Sequence, residues 1–230
     1  MANKVPHLLF TRALNQRQIA IIQEPCFSYE SIAFNRIELI PHQTWINEAS
    51  KQVDAWVFSS KYAVKSISKL LLKLNIPNSV YSVGENTSNE LAELGISSIH
   101  PENHTMKELA SLISGKTQAS IIHFCGNLKV AELTNLVDEP TNIQITSIEV
   151  YKNSLTPQKI DSSRFNGIVF MSPSAVRSYF NDNTVNTSHT LFCIGTTTAH
   201  ELAKFTSIEP ITPPLFTFHK LSETIKETFC

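Results

Sequence analysis

Four hydroxyl residues, Ser60, Thr87, Ser172 and Thr198, each follow a short apolar run and stand at the start of a stretch with helical periodicity. Such a position is a strand-to-helix turn, where the helix leaves its first backbone N–H groups without internal partners. A hydroxyl there can do two kinds of work. It can cap the helix, a contribution of about 1 kcal/mol. It can also join the open amides in holding an anionic oxygen, with about 0.3–1 kcal/mol of favourable field from each helix terminus. Gly84 and Gly195 stand three residues before Thr87 and Thr198, and leave the backbone bare for close approach by such an oxygen. Anion binding is the chemistry these turns suggest.

The four turns come in pairs. Val57-Phe58-x-Ser60-x-x-Ala63-Val64-x-Ser66 recurs as Val169-Phe170-x-Ser172-x-x-Ala175-Val176-x-Ser178, and Gly84-x-x-Thr87-x-x-Glu90-Leu91-Ala92 as Gly195-x-x-Thr198-x-x-Glu201-Leu202-Ala203. Thr105, Met106, Leu109 and Ile113 match Thr217, Phe218, Leu221 and Ile225. Apolar matches alone arise because buried strands resemble one another, but Ser, Gly and Thr at strand ends do nothing for a core. The pattern indicates a duplicated binding surface.

The elements that hold these turns read as alternating strands and helices. Candidate strands are Leu8-Leu9-Phe10, Ser31 to Leu39, Ala55 to Phe58, Val80 to Val83, Ser98-Ile99, Ile121 to Phe124, Ile143 to Val150, Gly167 to Phe170, Leu191 to Ile194 and Ser207-Ile208. Between them, Ala63 to Leu74 puts Val64, Ile67, Leu70, Leu71 and Leu74 on one helical face. Strands separated by helices give right-handed βαβ units with parallel sheets. The expectation is two doubly wound five-stranded α/β domains, with ligand beyond the carboxyl ends of the strands.

Bulk properties narrow the class. A chain of 230 residues with 42% hydrophobic and 17% charged residues suits a globular protein of one or two domains, and the repeat favours two. A net charge of −1 argues against a nucleic-acid partner or an acidic membrane surface. No apolar run approaches the roughly 18 residues that span a bilayer, and the start lacks a signal-like apolar region, so a cytoplasmic location is expected. Cys26, Cys125, Cys193 and Cys230 show no CxxC or Cys/His spacing and read as four thiols in a reducing compartment. His100 and His104 are separated by Pro101, which breaks the helix that would align them, so no metal site is expected. Ser172-Pro173-Ser174 is no nucleophile elbow, and Gly84 to Asn89 is neither a dinucleotide nor a Walker loop. Met106, Phe216 and Phe218 read as core residues on helical faces.

In this order, Thr11-Arg12, Val57-Phe58-Ser59-Ser60 with Ala63-Val64, Gly84 to Thr87, Cys125-Gly126-Asn127-Leu128-Lys129, Val150-Tyr151, Phe170 to Val176 and Ile194-Gly195 to Ala199 resemble the uroporphyrinogen-III synthase family. The resemblance covers nearly the whole chain, with departures at Ala13, Ser88 and Asn153. It implies a first domain of residues 1–38 plus 153–230, a second of 39–152, and a two-stranded linker near Pro41 and Tyr151 with a hinged cleft. It implies closure of linear hydroxymethylbilane to uroporphyrinogen III, with loss of water and inversion of the last pyrrole ring through a spiro intermediate, by a monomer using no cofactor. Transient contact with the preceding deaminase would supply the substrate.

By the same resemblance Tyr151 is the acid that assists departure of the substrate hydroxyl. The implied substrate-binding residues are Thr11, Arg12, Ser59, Ser60, Ala63, Gly84, Thr87, Gly126, Asn127, Ser172, Ser174, Ala175, Gly195, Thr197 and Thr198. Lys61, Lys129, Lys152 and Arg177 are further cations within reach of these loops. The alternative reading is a non-catalytic hinged receptor for a small polycarboxylate or phosphate, which would use the same hydroxyls.

Overall fold

The computed structural model describes residues 5–22, 26–115, 118–128, 132–137 and 142–230. Its elements, in chain order, begin with β1 (His7–Phe10), α1 (Gln16–Ile22), β2 (Ser28–Ser31) and β3 (Asn35–Leu39). Then come α2 (Ile46–Ala49), β4 (Ala55–Phe58), α3 (Lys61–Ile67), β5 (Ser79–Ser82), α4 (Glu85–Ala92), α5 (Met106–Ser114), β6 (Gln118–Gly126), α6 (Glu132–Leu136) and β7 (Asn142–Leu155). The chain closes with β8 (Gly167–Phe170), α7 (Pro173–Asp182), β9 (Thr190–Cys193), α8 (Thr196–Leu202) and α9 (Phe218–Phe229). It divides into two units, one of residues 1–36 and 154–230, the other of 37–153.

The first unit carries a sheet of order β2-β1-β8-β9, every pairing parallel. Period-two alternation sends its apolar side chains to both faces. Leu9, Ile168 and Phe170 pack with Val176 of α7 and Leu202 of α8, while Leu8, Phe10, Val169 and Phe192 pack with Leu221 and Ile225 of α9. The second unit has the order β3-β7-β6-β4-β5, and the described pairings β4·β5, β4·β6 and β6·β7 are parallel. Here Trp56, Phe58, Ile122 and Phe124 meet Val64 and Ile67 of α3, and Ala55, Val57 and Ile121 meet Leu109 and Ile113 of α5. Each buried aliphatic or Phe side chain contributes about 1.5–3 kcal/mol, so both faces of each sheet need their helical cover. The α/β class with parallel sheets is as expected.

Several boundaries differ. Ser31 to Leu39 is two strands, β2 and β3, in different sheets. Phe34 interrupts them: it is fully buried beside Tyr179, its N–H donates to the Thr11 carbonyl (3.4 Å), and its carbonyl accepts from Thr156 N–H (3.0 Å). Ser98-Ile99 and Ser207-Ile208 are not strands. Single bridges at Tyr81↔Ile99 and Phe192↔Ile211 replace them, leaving the first sheet with four strands. Ala63 to Leu74 begins as α3 but continues as a 3-10 helix over Ser68–Lys73, which leaves Leu72 exposed while Leu70 and Leu74 remain buried.

The expectation of four thiols is corrected. Cys26 and Cys230 form a disulfide, with Cα atoms 5.4 Å apart across a sequence separation of 204. Packing of α1 against α9 brings the two ends together, a proximity that no local spacing announces. Cys125 and Cys193 are buried thiols, and burial pushes Cys193 up to about 12. No described helix is long and apolar enough to cross a membrane.

Candidate active site

Parallel pairing puts the carboxyl ends of all strands in a sheet on one edge, and the sequence-expected residues fall there in each unit. In the first unit Thr11 and Arg12 follow β1, Ser172, Ser174 and Ala175 follow β8, and Gly195, Thr197 and Thr198 follow β9. In the second, Ser59, Ser60 and Ala63 follow β4, Gly84 and Thr87 follow β5, and Gly126 and Asn127 end β6 beside Tyr151 of β7. Lys129 lies outside the described residues.

The hydroxyls divide by use. Ser60 caps α3, accepting from Tyr62 N–H at 3.2 Å, and Ser172 caps α7, accepting from Ala175 N–H at 3.2 Å. Ser172 also meets the Ser174 hydroxyl at 3.1 Å, and Ser174 accepts from Asn35 Nδ2 at 3.3 Å. Thr11 is fully buried and donates to the Val169 carbonyl at 2.9 Å, which commits its hydroxyl to tying β1 to β8. Thr87 and Thr198 are different. Both are buried in the first turn of α4 and α8, and neither hydroxyl has a hydrogen-bond partner among the described residues. The buried Ser59 hydroxyl also lacks one, whereas Thr197 is exposed. The backbone N–H groups of Ala63 and Ala175 are already used on Ser60 and Ser172.

The two glycines of the repeat answer to close packing. Both have extended φ, which any residue adopts. A Cβ on Gly84 would lie 2.7 Å from His104 Nδ1, and one on Gly195 would lie 2.9 Å from Phe216 Cγ. The space above each glycine, expected to admit an anionic oxygen, is thus taken by a side chain. Phe216, expected on a helical core face, instead precedes α9 and is 37% exposed over Gly195. The sequence reading does not single out His104 and Phe216 as neighbours of these glycines, although a signal exists: each directly precedes a repeat-matched cap, Thr105 or Thr217.

Tyr151 is held by a local irregularity. Cys125 pairs with Glu149 but Gly126 pairs with Tyr151, so Val150 is an extra residue and the strand register shifts there. Such a bulge re-aims side chains. Val150 and Tyr151 are consequently both buried, with the Tyr151 ring over Gly126 and 5.8 Å from that of Tyr62. The Val150 carbonyl accepts from Ser66 Oγ at 3.0 Å and from Ile40 N–H at 3.0 Å. Asn127 fixes the far side: its Oδ1 accepts from Asn153 N–H at 2.8 Å, and its own N–H donates to the Tyr151 carbonyl at 3.3 Å.

The candidate cations are mostly engaged. Arg177 pairs with Glu201 at 3.1 Å, and the repeat-equivalent Lys65 and Glu90 lie 3.7 Å apart, so the duplication extends to an ion pair joining adjacent helices. Hydrogen bonds from Lys204 and Arg177 hold the Glu201 carboxyl below the usual range. Lys61 Nζ lies 5.6 Å above the Tyr62 ring, Lys152 is exposed, and Arg12 is half-buried at the β1 end.

Comparison with known proteins gives the same pattern a family. The model of the family described as uroporphyrinogen-III synthase HemD matches residues 11–223. No curated protein matches the chain. Among solved structures, a mutant uroporphyrinogen III synthase from the extremely thermophilic bacterium Thermus thermophilus superposes with TM-score 0.74 at 14% identity, covering 97% of each chain. Uroporphyrinogen-III synthetase from Helicobacter pylori gives 0.62 at 17% identity, over 97% of this chain and 99% of that one. At such identities the structural likeness speaks for the fold alone. With the family model spanning nearly all of the sequence, this chain belongs to the uroporphyrinogen-III synthase family.

Proposed function

We propose that the strand-end loops of both units grip the carboxylates of hydroxymethylbilane and that Tyr151 assists the chemistry. The enzyme is a uroporphyrinogen-III synthase, a lyase that closes hydroxymethylbilane to uroporphyrinogen III. The supporting observation for the residue assignment is the pair of buried threonines, Thr87 and Thr198, whose hydroxyls have no partners among the described residues at matching turns of the duplicated sheets. A neutral phenol can donate at physiological pH. Tyr151 gives its proton to the departing hydroxyl, which leaves as water while the pyrrole nitrogen pushes and an azafulvene forms. The terminal ring attacks at its substituted carbon to give the spiro intermediate. The bond from that carbon to its original bridge then breaks, the freed bridge carbon bonds to the ring's unsubstituted position, and the proton lost there returns to the tyrosinate. Spontaneous closure gives the uninverted isomer, so the larger contribution is restraint of a flexible chain.

The residues near Pro41 and Tyr151 serve as the hinge between domains 1–38 plus 153–230 and 39–152, and the protein acts as a cytoplasmic monomer fed by the preceding deaminase. A receptor without turnover would use the same loops, and the family assignment does not favour it. The test is an assay coupled to the deaminase. The type III isomer should accumulate in proportion to enzyme, and exclusive type I product would refute the reading.

A further inference from the structure

His104 is the only non-glycine residue with positive φ (55°) among those described, a conformation that costs free energy for any side chain with a Cβ. The ring it places over Gly84 does more than fill space. Its Nδ1 accepts from Glu85 N–H, the first amide of α4, at 3.2 Å. An accepting Nδ1 carries no proton, so the neutral ring holds its proton on Nε2 and offers it as a donor. No partner for Nε2 is found among the described residues, and the side chain is half-buried beside His100, with ring centroids 5.3 Å apart. The duplication supplies an internal comparison. Phe216 occupies the same position over Gly195, packs the same way and has no polar atom to offer. The two units therefore share a packing solution, and only the second adds a fixed donor to it.

Resting on the proposal that the Gly84 to Thr87 loop meets substrate, we propose that His104 is a further substrate-binding residue. Its Nε2–H donates to a carboxylate of hydroxymethylbilane, while Glu85 N–H locks the tautomer and ring orientation. The occupied space over Gly84 then presents a directed donor to the anion.

Nitrogen NMR of the histidine-labelled protein reads the tautomer directly. An unprotonated Nδ1 with a protonated Nε2 at neutral pH is expected, together with a shift of the Nε2 resonance on adding uroporphyrinogen III. A protonated Nδ1, or no shift at saturating product, would overturn the inference without any variant. In kinetics, His104→Phe reproduces the other unit's residue and removes both polar atoms. It should raise KM for hydroxymethylbilane about 10-fold to 100-fold, the range for a hydrogen bond to a charged group, with kcat changed less than about twofold. His104→Asn, which tolerates the left-handed backbone and keeps a donor and an acceptor, should recover most of the loss. An unchanged KM in His104→Phe beside a raised KM in Thr87→Val would sink the histidine assignment and spare the loop. Unchanged KM in both would remove the loop from the site, and this inference with it.

Discussion

Gly126→Ala tests the packing that positions Tyr151. An added Cβ would lie 2.5 Å from Tyr151 Cε2 and 2.8 Å from its Oη, and closest of all to Cζ. Carbon atoms pack at about 3.5–4.0 Å, so the ring must retreat by roughly 1 Å. It has little room, being 7% exposed with Tyr62 beside it. Overpacking of this kind costs about 1–3 kcal/mol, and replacing a strand glycine returns about 0.5–1 kcal/mol. The net loss centres on about 1 kcal/mol, or a fall in Tm of about 3–5 °C for a unit of this size. Displacement of the phenol should reduce kcat by about 100-fold. Thermal unfolding and the deaminase-coupled assay measure the two effects. In a Tyr151→Leu background the clashing atoms are gone, so Gly126→Ala should then be nearly neutral to stability. Wild-type Tm and kcat in the single variant, or an equal loss in the Leu background, would refute the reasoning.

Tyr151→Phe should lower kcat by about 100-fold to 10,000-fold with little change in affinity for uroporphyrinogen III, and an unaltered rate would remove the tyrosine from the chemistry. Cys230→Ser should lower the Tm of oxidised protein and leave that of protein held in reductant unchanged; equal losses in both states would show that the bond with Cys26 contributes nothing. Glu201, only 11% exposed, has a folded pKa lowered from 4.5 by Lys204 and Arg177. Its stabilisation is complete above about pH 4.5 and is lost as pH falls through the lowered value. Urea midpoints of wild type and Glu201→Gln should therefore converge on acidification below about pH 4.5, and a constant gap would contradict the assignment.

The local pattern was sufficient for the strands that face two ways. In β4, Trp56 and Phe58 go to one core and Ala55 and Val57 to the other, a consequence of period-two geometry that any buried parallel strand must obey. The duplicated turns were equally legible, because Ser60 and Ser172 must stand at helix starts to make their caps. Ser31 to Leu39 misled because an apolar run does not say which sheet it joins. Phe34 ends one strand by entering the first unit's core, and β3 then pairs in the second sheet. Ser207-Ile208 failed for a related reason: the single bridge forms at Ile211, where the chain passes the outer edge of β9.

The sequence by itself determined the α/β class, the repeat and the strand-end placement of the candidate loops, because periodicity and capping are local consequences of residue type. Only the tertiary structure decided what occupies the space at those loops. His104 over Gly84, Phe216 over Gly195, Tyr151 over Gly126 and Cys26 against Cys230 are meetings of residues 20 to 204 positions apart. Packing the helices onto the sheets brings them together. A glycine looks the same in sequence whether its missing side chain makes room for a ligand or for a neighbouring ring, and only the filled volume distinguishes the two.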